Sequence, residues 1–113
     1  MTKYAKDFTQ SVPFTDQGFM LKLAASTALA ITVPGNSNQK FRACFRGSFT
    51  DEVYVCLNAA ATLPIPGAAT ATYNQEFLPL LEPKVVLGGD TLSFISTGTP
   101  SIGVSFLLIE SQV

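Results

Sequence analysis

Residues 18–35, GFMLKLAASTALAITVPG, decide how this chain is read. The stretch is rich in Ala and Leu, lies near the N-terminus and contains an Ala-Leu-Ala of the kind signal peptidase cuts. A secretion signal, however, needs a basic start followed by an unbroken apolar core. Here Lys3 and Lys6 are offset by Asp7 and Asp16, and Lys22 interrupts the apolar run. A membrane helix needs about 20 apolar residues, and this run is shorter and carries Lys22, Ser26 and Thr27. The spacing gives the positive reading. Phe19, Leu21, Leu23, Leu29, Ile31 and Val33 all fall on odd positions, whereas Met20, Lys22, Ala24, Ser26, Ala28, Ala30 and Thr32 fall on even ones. Period two is the mark of a half-buried strand. One strand of that length would be unusual, so the stretch is read as two, over about 18–24 and 28–33, broken near Ala25-Ser26-Thr27. Pro34-Gly35 and Asn36-Ser37-Asn38 close the second as a turn. With no targeting or membrane segment left, the protein is expected to lack a signal peptide and to be soluble in the cytoplasm where it is made.

The same alternation recurs downstream. In QKFRACFRGS, Phe41, Ala43 and Phe45 share one face and Arg42, Cys44 and Arg46 the other; in DEVYVCLN, Val53, Val55 and Leu57 oppose Tyr54, Cys56 and Asn58. The two segments read as an antiparallel hairpin. Putting both apolar sets on one face requires odd residues to oppose odd ones. One such register pairs Cys44 with Cys56 and Arg46 with Tyr54, gathering Arg42, Arg46, Tyr54 and Asn58 on the outer face. Further strands are expected near 69–77, in KVVL before Gly88-Gly89-Asp90, in TLSFIST with Leu92 and Phe94 inward, and in IGVSFLLIES. In the last, Leu107 and Ile109 add apolar residues to the second face, which suits a central strand or one covered by a neighbour at its C-terminal end. The two prolines of LPIPG, residues 63–67, exclude a central strand there.

The expectation is therefore an all-β chain: a single antiparallel β-sandwich of about eight strands, jelly-roll-like or immunoglobulin-like, over residues 18–113. Residues 1–17, with Tyr4, Phe8 and Phe14, form an extended N-terminal arm or an edge strand.

Composition narrows the function. The 113 residues carry seven basic and eight acidic side chains, a charged fraction of 13% against about 25% in ordinary soluble domains. A domain of this size buries only about 65% of its unfolded surface. Part of the remainder is expected to be covered by other subunits; the alternative is a monomer with a Ser/Thr/Asn/Gln surface. A net charge of −1 offers no basic field for nucleic acid. There is no His, so no nucleophile–His pair can form. Paired catalytic carboxylates need two acids flanking one cleft, and most of the eight acids sit in expected turns or strand ends, where solvation is the default. Asp51-Glu52 and Gly89-Asp90 lack the alternating acids of a calcium loop. Two cysteines are too few for a disulfide scaffold or a zinc site. A cross-strand disulfide is open to them if they face each other; two reduced, half-buried thiols are the reading that suits a cytosolic origin. No enzyme activity, cofactor or metal is expected. Arg42, Arg46 and Tyr54 read either as a solvated face with an Arg–Tyr contact, as a weak anion, sugar or base site, or as interface anchors.

The segments ITVPGNSNQKFRACFRGSFTDEVYVCLNAAATLP (31–64) and VVLGGDTLSFISTGTPSIGVSFLLIES (85–111) resemble small β-sandwich virion proteins of tailed bacteriophages. The likeness lies in a Val-Pro-Gly turn before an Arg-containing strand, a Val-Tyr-Val strand leading into an Asn-Ala run, and a Gly-Gly-Asp-Thr-Leu strand before a Gly-containing last strand. The resemblance implies a structural virion protein without catalytic residues: a capsid decoration or cement subunit, or a component of a neck, tail or fibre. It further implies a homo-oligomer, trimer or dimer, on the capsid surface, with the major capsid protein or other virion proteins as partners and neither nucleic acid nor membrane. Tyr4, Phe8, Phe14, Arg42, Arg46 and Tyr54 are the candidate interface residues. A carbohydrate-binding module is the competing expectation, disfavoured by the absence of Trp and a total of three Tyr.

Overall fold

The computed structural model describes residues 2–3, 14–47, 51–64, 67, 74–77 and 82–112. These form β1 (Thr2–Lys3), β2 (Gln17–Lys22), β3 (Leu29–Thr32), β4 (Gln39–Arg46), β5 (Val53–Leu57), β6 (Gln75–Phe77), β7 (Lys84–Leu87), β8 (Thr91–Ser96) and β9 (Ser101–Gln112). There is no helix among them. Every pairing is antiparallel. One sheet, here sheet A, runs β1-β9-β4-β7, with β2 also on β9; the other, sheet B, runs β3-β8-β5-β6. The columns β2-β9-β4-β7 and β3-β8-β5-β6 have the strand order of a jelly roll, and the immunoglobulin alternative falls away.

The period-two segments behave as alternation demands. From sheet A, Leu21, Phe41, Ala43, Phe45, Val86, Ile102, Val104 and Phe106 point into one core; from sheet B, Ile31, Val53, Val55, Leu92 and Phe94 meet them. Phe45 and Phe94 lock the sheets edge to face at 6.0–6.5 Å spacing typical of this core: their centroids are 6.1 Å apart, and Phe106 meets Phe19 at 6.0 Å and Phe41 at 6.5 Å. Such pairs add about 0.5–1.5 kcal/mol each beyond their buried area. β9 is central, flanked by β2 and β4, and Leu107 on its second face is buried. Ile109 is an extra residue: Lys40 opposes Glu110 and Phe41 opposes Leu108, so β9 bulges there, as bulges re-aim a long strand.

The break near Ala25-Ser26-Thr27 carries the chain from one sheet to the other. Ser26 takes a positive φ of 57°, the Thr27 N–H donates to Ala24 O at 3.2 Å, and the Ser26 N–H donates to Ser96 O at 2.8 Å. Two later turns pack on each other. Gly35 and Gly89 have φ of 81° and 88°, a region that favours glycine. Gly88 lies so close to the backbone of Gly35 and Asn36 that a side chain there has no room.

One expectation is overturned. β4 and β5 are not a hairpin: β4 pairs with β7 and β9, β5 with β6 and β8. β4 belongs to sheet A and β5 to sheet B. Both strands still present their odd residues to the core, but from opposite sides of it. Cys44 and Cys56 therefore lie on opposite outer faces and are not bonded to each other. Of the strand expected over 69–77, the described part is β6; residues 68–73 lie outside the described residues.

Candidate functional site

The placement of β4 and β5 in different sheets divides the expected surface cluster. Arg42 and Arg46 stand exposed on the outer face of sheet A, while Tyr54 and Asn58 belong to sheet B. Tyr4 and Phe8 lie outside the described residues. Phe14 is 96% exposed, directly before a segment pinned to β9: Thr15 Oγ1 donates to Phe106 O at 2.6 Å, the Asp16 N–H donates to the same carbonyl at 2.8 Å, and the Leu108 N–H donates to Asp16 Oδ2 at 2.6 Å. Thr2 and Lys3 pair with Gln112 and Ser111, so parts of the expected arm run along β9 as edge strand.

The two outer faces differ in charge. Sheet A presents Lys22, Lys40, Arg42 and Arg46, with Glu110 at 3.2 Å from Lys40 across the strands. Across β9, Gly18 and Cys44 both oppose Ser105, and Met20 and Arg46 both oppose Gly103. Met20, 80% exposed, and Val85, 63% exposed, stand at opposite margins of that face. Sheet B has no basic residue in any of its strands; Glu52 and Asp90 lie beside them, while Glu76 opposes the core-facing Val55.

Sheet B is also partly covered by its own chain. The segment after β5 folds back so that Ala61 and Leu63 pack on Cys56, Ile95 and Tyr54, a second small apolar cluster outside the main core. Its polar atoms are matched: the Ala61 N–H donates to the buried Ser93 Oγ at 2.9 Å, the Thr62 N–H to Gln75 Oε1 at 3.0 Å, and Gln75 Nε2 to Thr62 O at 2.7 Å. Sequence reasoning missed this cover; the available signal was the uncharged run Ala59 to Pro64 beside two strands with apolar residues on both faces. Beyond the cluster, Tyr54 and Phe77 rings lie 5.4 Å apart, and the Tyr54 hydroxyl donates to Glu52 Oε2 at 2.9 Å. Burial, and secondarily the Glu52 carboxylate, push the Tyr54 phenol above its ordinary value.

Two hollows remain. One, of about 150 Å³, opens between the sheets at the β6–β7 margin. Its floor is Phe45, Val55, Leu57 and Leu92, and the Lys84–Glu76 ion pair at 2.7 Å stands at its rim. The other is a shallow depression on sheet B between Ala28, Ala30 and Ala60. Neither places a nucleophile beside a base, and among the described residues no three of His, Cys, Asp and Glu converge as metal ligands. No described helix is long and apolar enough to cross a membrane. The surfaces with chemical character are thus the charged face of sheet A and the Phe14 projection. No protein family, curated protein or solved structure matches the chain.

Proposed function

We propose that this chain is a structural virion protein, a capsid decoration or cement subunit that stabilises the assembled head of a tailed bacteriophage through protein–protein contacts. The observation that carries the reading is Phe14, 96% exposed on a segment tied to the central strand by three short hydrogen bonds. A large apolar side chain held in water on a fixed stem is a docking group. Met20 and Val85 on the margins of the basic face add apolar contact area, and Arg42 and Arg46 add the residue type enriched at interface centres. A cement subunit works by mass action: it binds the assembled shell and not the free subunits, so it shifts the balance toward assembly. In this reading the protein resides on the capsid surface as a homo-oligomer, and major capsid protein or other virion proteins are its partners.

A chain lacking residues 1–15 should fold yet fail to cosediment with density-purified particles that bind the full chain. Undiminished binding by the truncated chain refutes the arm's role. A second reading, a carbohydrate-binding module on a tail, neck or fibre, rests on the Tyr54–Phe77 pair, which has the form of a small stacking surface beside a carboxylate. Specific retention on a glycan array, lost in Tyr54→Ala, would favour it over the first.

A further inference from the structure

Strands at sheet margins expose a row of unpaired N–H and C=O groups, and stable proteins protect them with charge, proline, short length or capping side chains. This sandwich protects three of its margins. β6 has three residues with Glu76 in the middle. β7 starts at Lys84 after Pro83, and the Leu87 N–H is taken by Asp90 Oδ2 at 2.9 Å. β2 ends in Lys22. β3, Leu-Ala-Ile-Thr, is as short as β7 but contains no charged residue and no proline, and no residue from Leu23 through Gln39 carries a charge.

The register shows which groups the open edge offers. The Val33 N–H donates to Asp90 O at 2.8 Å, and Val33 O accepts from the Gly89 N–H at 3.0 Å. Odd residues of β3 therefore bond inward to β8, and the main-chain groups of Ala30 and Thr32 point away from it. Among the described residues no strand pairs with that edge. Only another extended segment presents donors and acceptors at the matching spacing.

We propose that β3 is a strand-addition edge that pairs antiparallel with β3 of a second copy of this chain, joining two four-stranded sheets into one continuous sheet. The edge is complementary to itself. A two-fold axis through Ile31 sets Ala30 opposite the partner's Thr32 and Thr32 opposite the partner's Ala30, which uses the outward N–H and C=O groups of both. The same register sets Leu29, a core-side residue left 38% exposed at the margin, opposite the partner's Val33. On the outer side only Ala28, Ala30 and Thr32 are present, so no bulky or charged group obstructs the approach. The pairing belongs to the chain itself and stands whether or not the chain is part of a particle.

The test is sedimentation of the full chain from about 10 µM to about 1 mM, the window for an interface at the small end of the size range. Ala30 and Thr32 are both exposed, so substitutions there spare the core; circular dichroism and melting confirm that each variant is folded. In A30K/T32K two like-charge pairs face each other across the joint, and dimerisation should weaken by about tenfold or more. In A30K/T32E each Lys faces a Glu, and the dimer should stay within about threefold of the parent. A parent chain that is monomeric throughout, or equal behaviour of the two double variants, overturns the proposal.

Discussion

Two phenylalanines separate the inside of this molecule from its proposed docking surface, and truncating each is expected to give opposite results. Phe106 has no exposed surface, touches Phe19 and Phe41 edge to face, and lies at the middle of the strand that pairs with β2 and β4. Truncation of a fully buried Phe to Ala costs about 3–5 kcal/mol, because lost transfer energy and an unfilled cavity combine. The aromatic pairs are part of that figure and are not added to it. A domain of this size has about 5–15 kcal/mol in total, so Phe106→Ala removes a large fraction of it. With a urea dependence of about 1.5 kcal/mol per molar, the midpoint should fall by roughly 2–3 M. Phe14→Ala, at a position almost wholly in water, should shift stability by no more than about 0.5 kcal/mol while weakening particle binding. Far-UV circular dichroism against urea reads both, since the chain has no Trp to follow. A Phe106→Ala midpoint within about 0.5 M of the parent, or a Phe14→Ala loss as large as that of Phe106→Ala, refutes the reasoning.

Ser93→Ala strands the Ala61 N–H beneath the folded-back segment and should cost about 1–3 kcal/mol; protease nicking between Ala59 and Pro64 should rise with it, and unchanged cleavage would show that the Ser93 bond does not hold the segment. Under native non-reducing conditions iodoacetamide should modify the half-buried Cys44 well before the buried Cys56, and a disulfide-linked 44–56 peptide in the mass spectrum would contradict the sheet assignment. Because the Tyr54 phenol titrates above its ordinary value of 10.0, the folded state holds that proton more tightly than the unfolded chain does. The associated stability is present below about pH 10 and is lost as pH rises through the folded value. Ultraviolet titration of the parent against Tyr54→Phe should reveal a late-ionising tyrosine, and Glu52→Gln should bring it back toward the ordinary range.

Alternation made most of the sandwich readable. It placed β2, β3, β5, β7, β8 and β9 close to their observed bounds and assigned Phe41, Phe45, Val53, Val55, Leu92 and Phe94 to the interior. Through Leu107 and Ile109 it left β9 as either central or covered at its C-terminal end, and the structure makes it central. What alternation cannot carry is sheet membership. Residues 47–52 can turn a chain back or carry it across, and the odd residues of β4 and β5 face the core in either case. The surface cluster of Arg42, Arg46 and Tyr54 depended on that choice, and it dissolved when the strands went to different sheets. The cover over Ser93 and Ile95 was illegible for a related reason: it is a contact between a loop and a face, and neither has a period. Phe14, by contrast, was visible as an apolar residue outside any strand pattern, and the structure leaves it in water.

The central claim is that this sandwich is a building part whose exposed apolar and basic surface meets other proteins of a particle. The most direct measurement is quantitative mass spectrometry of density-purified particles from the culture that produces the chain, with its copy number set against that of the major capsid protein. The account predicts a fixed, high ratio that survives repeated banding. A chain abundant in the lysate but absent from intact particles would contradict it.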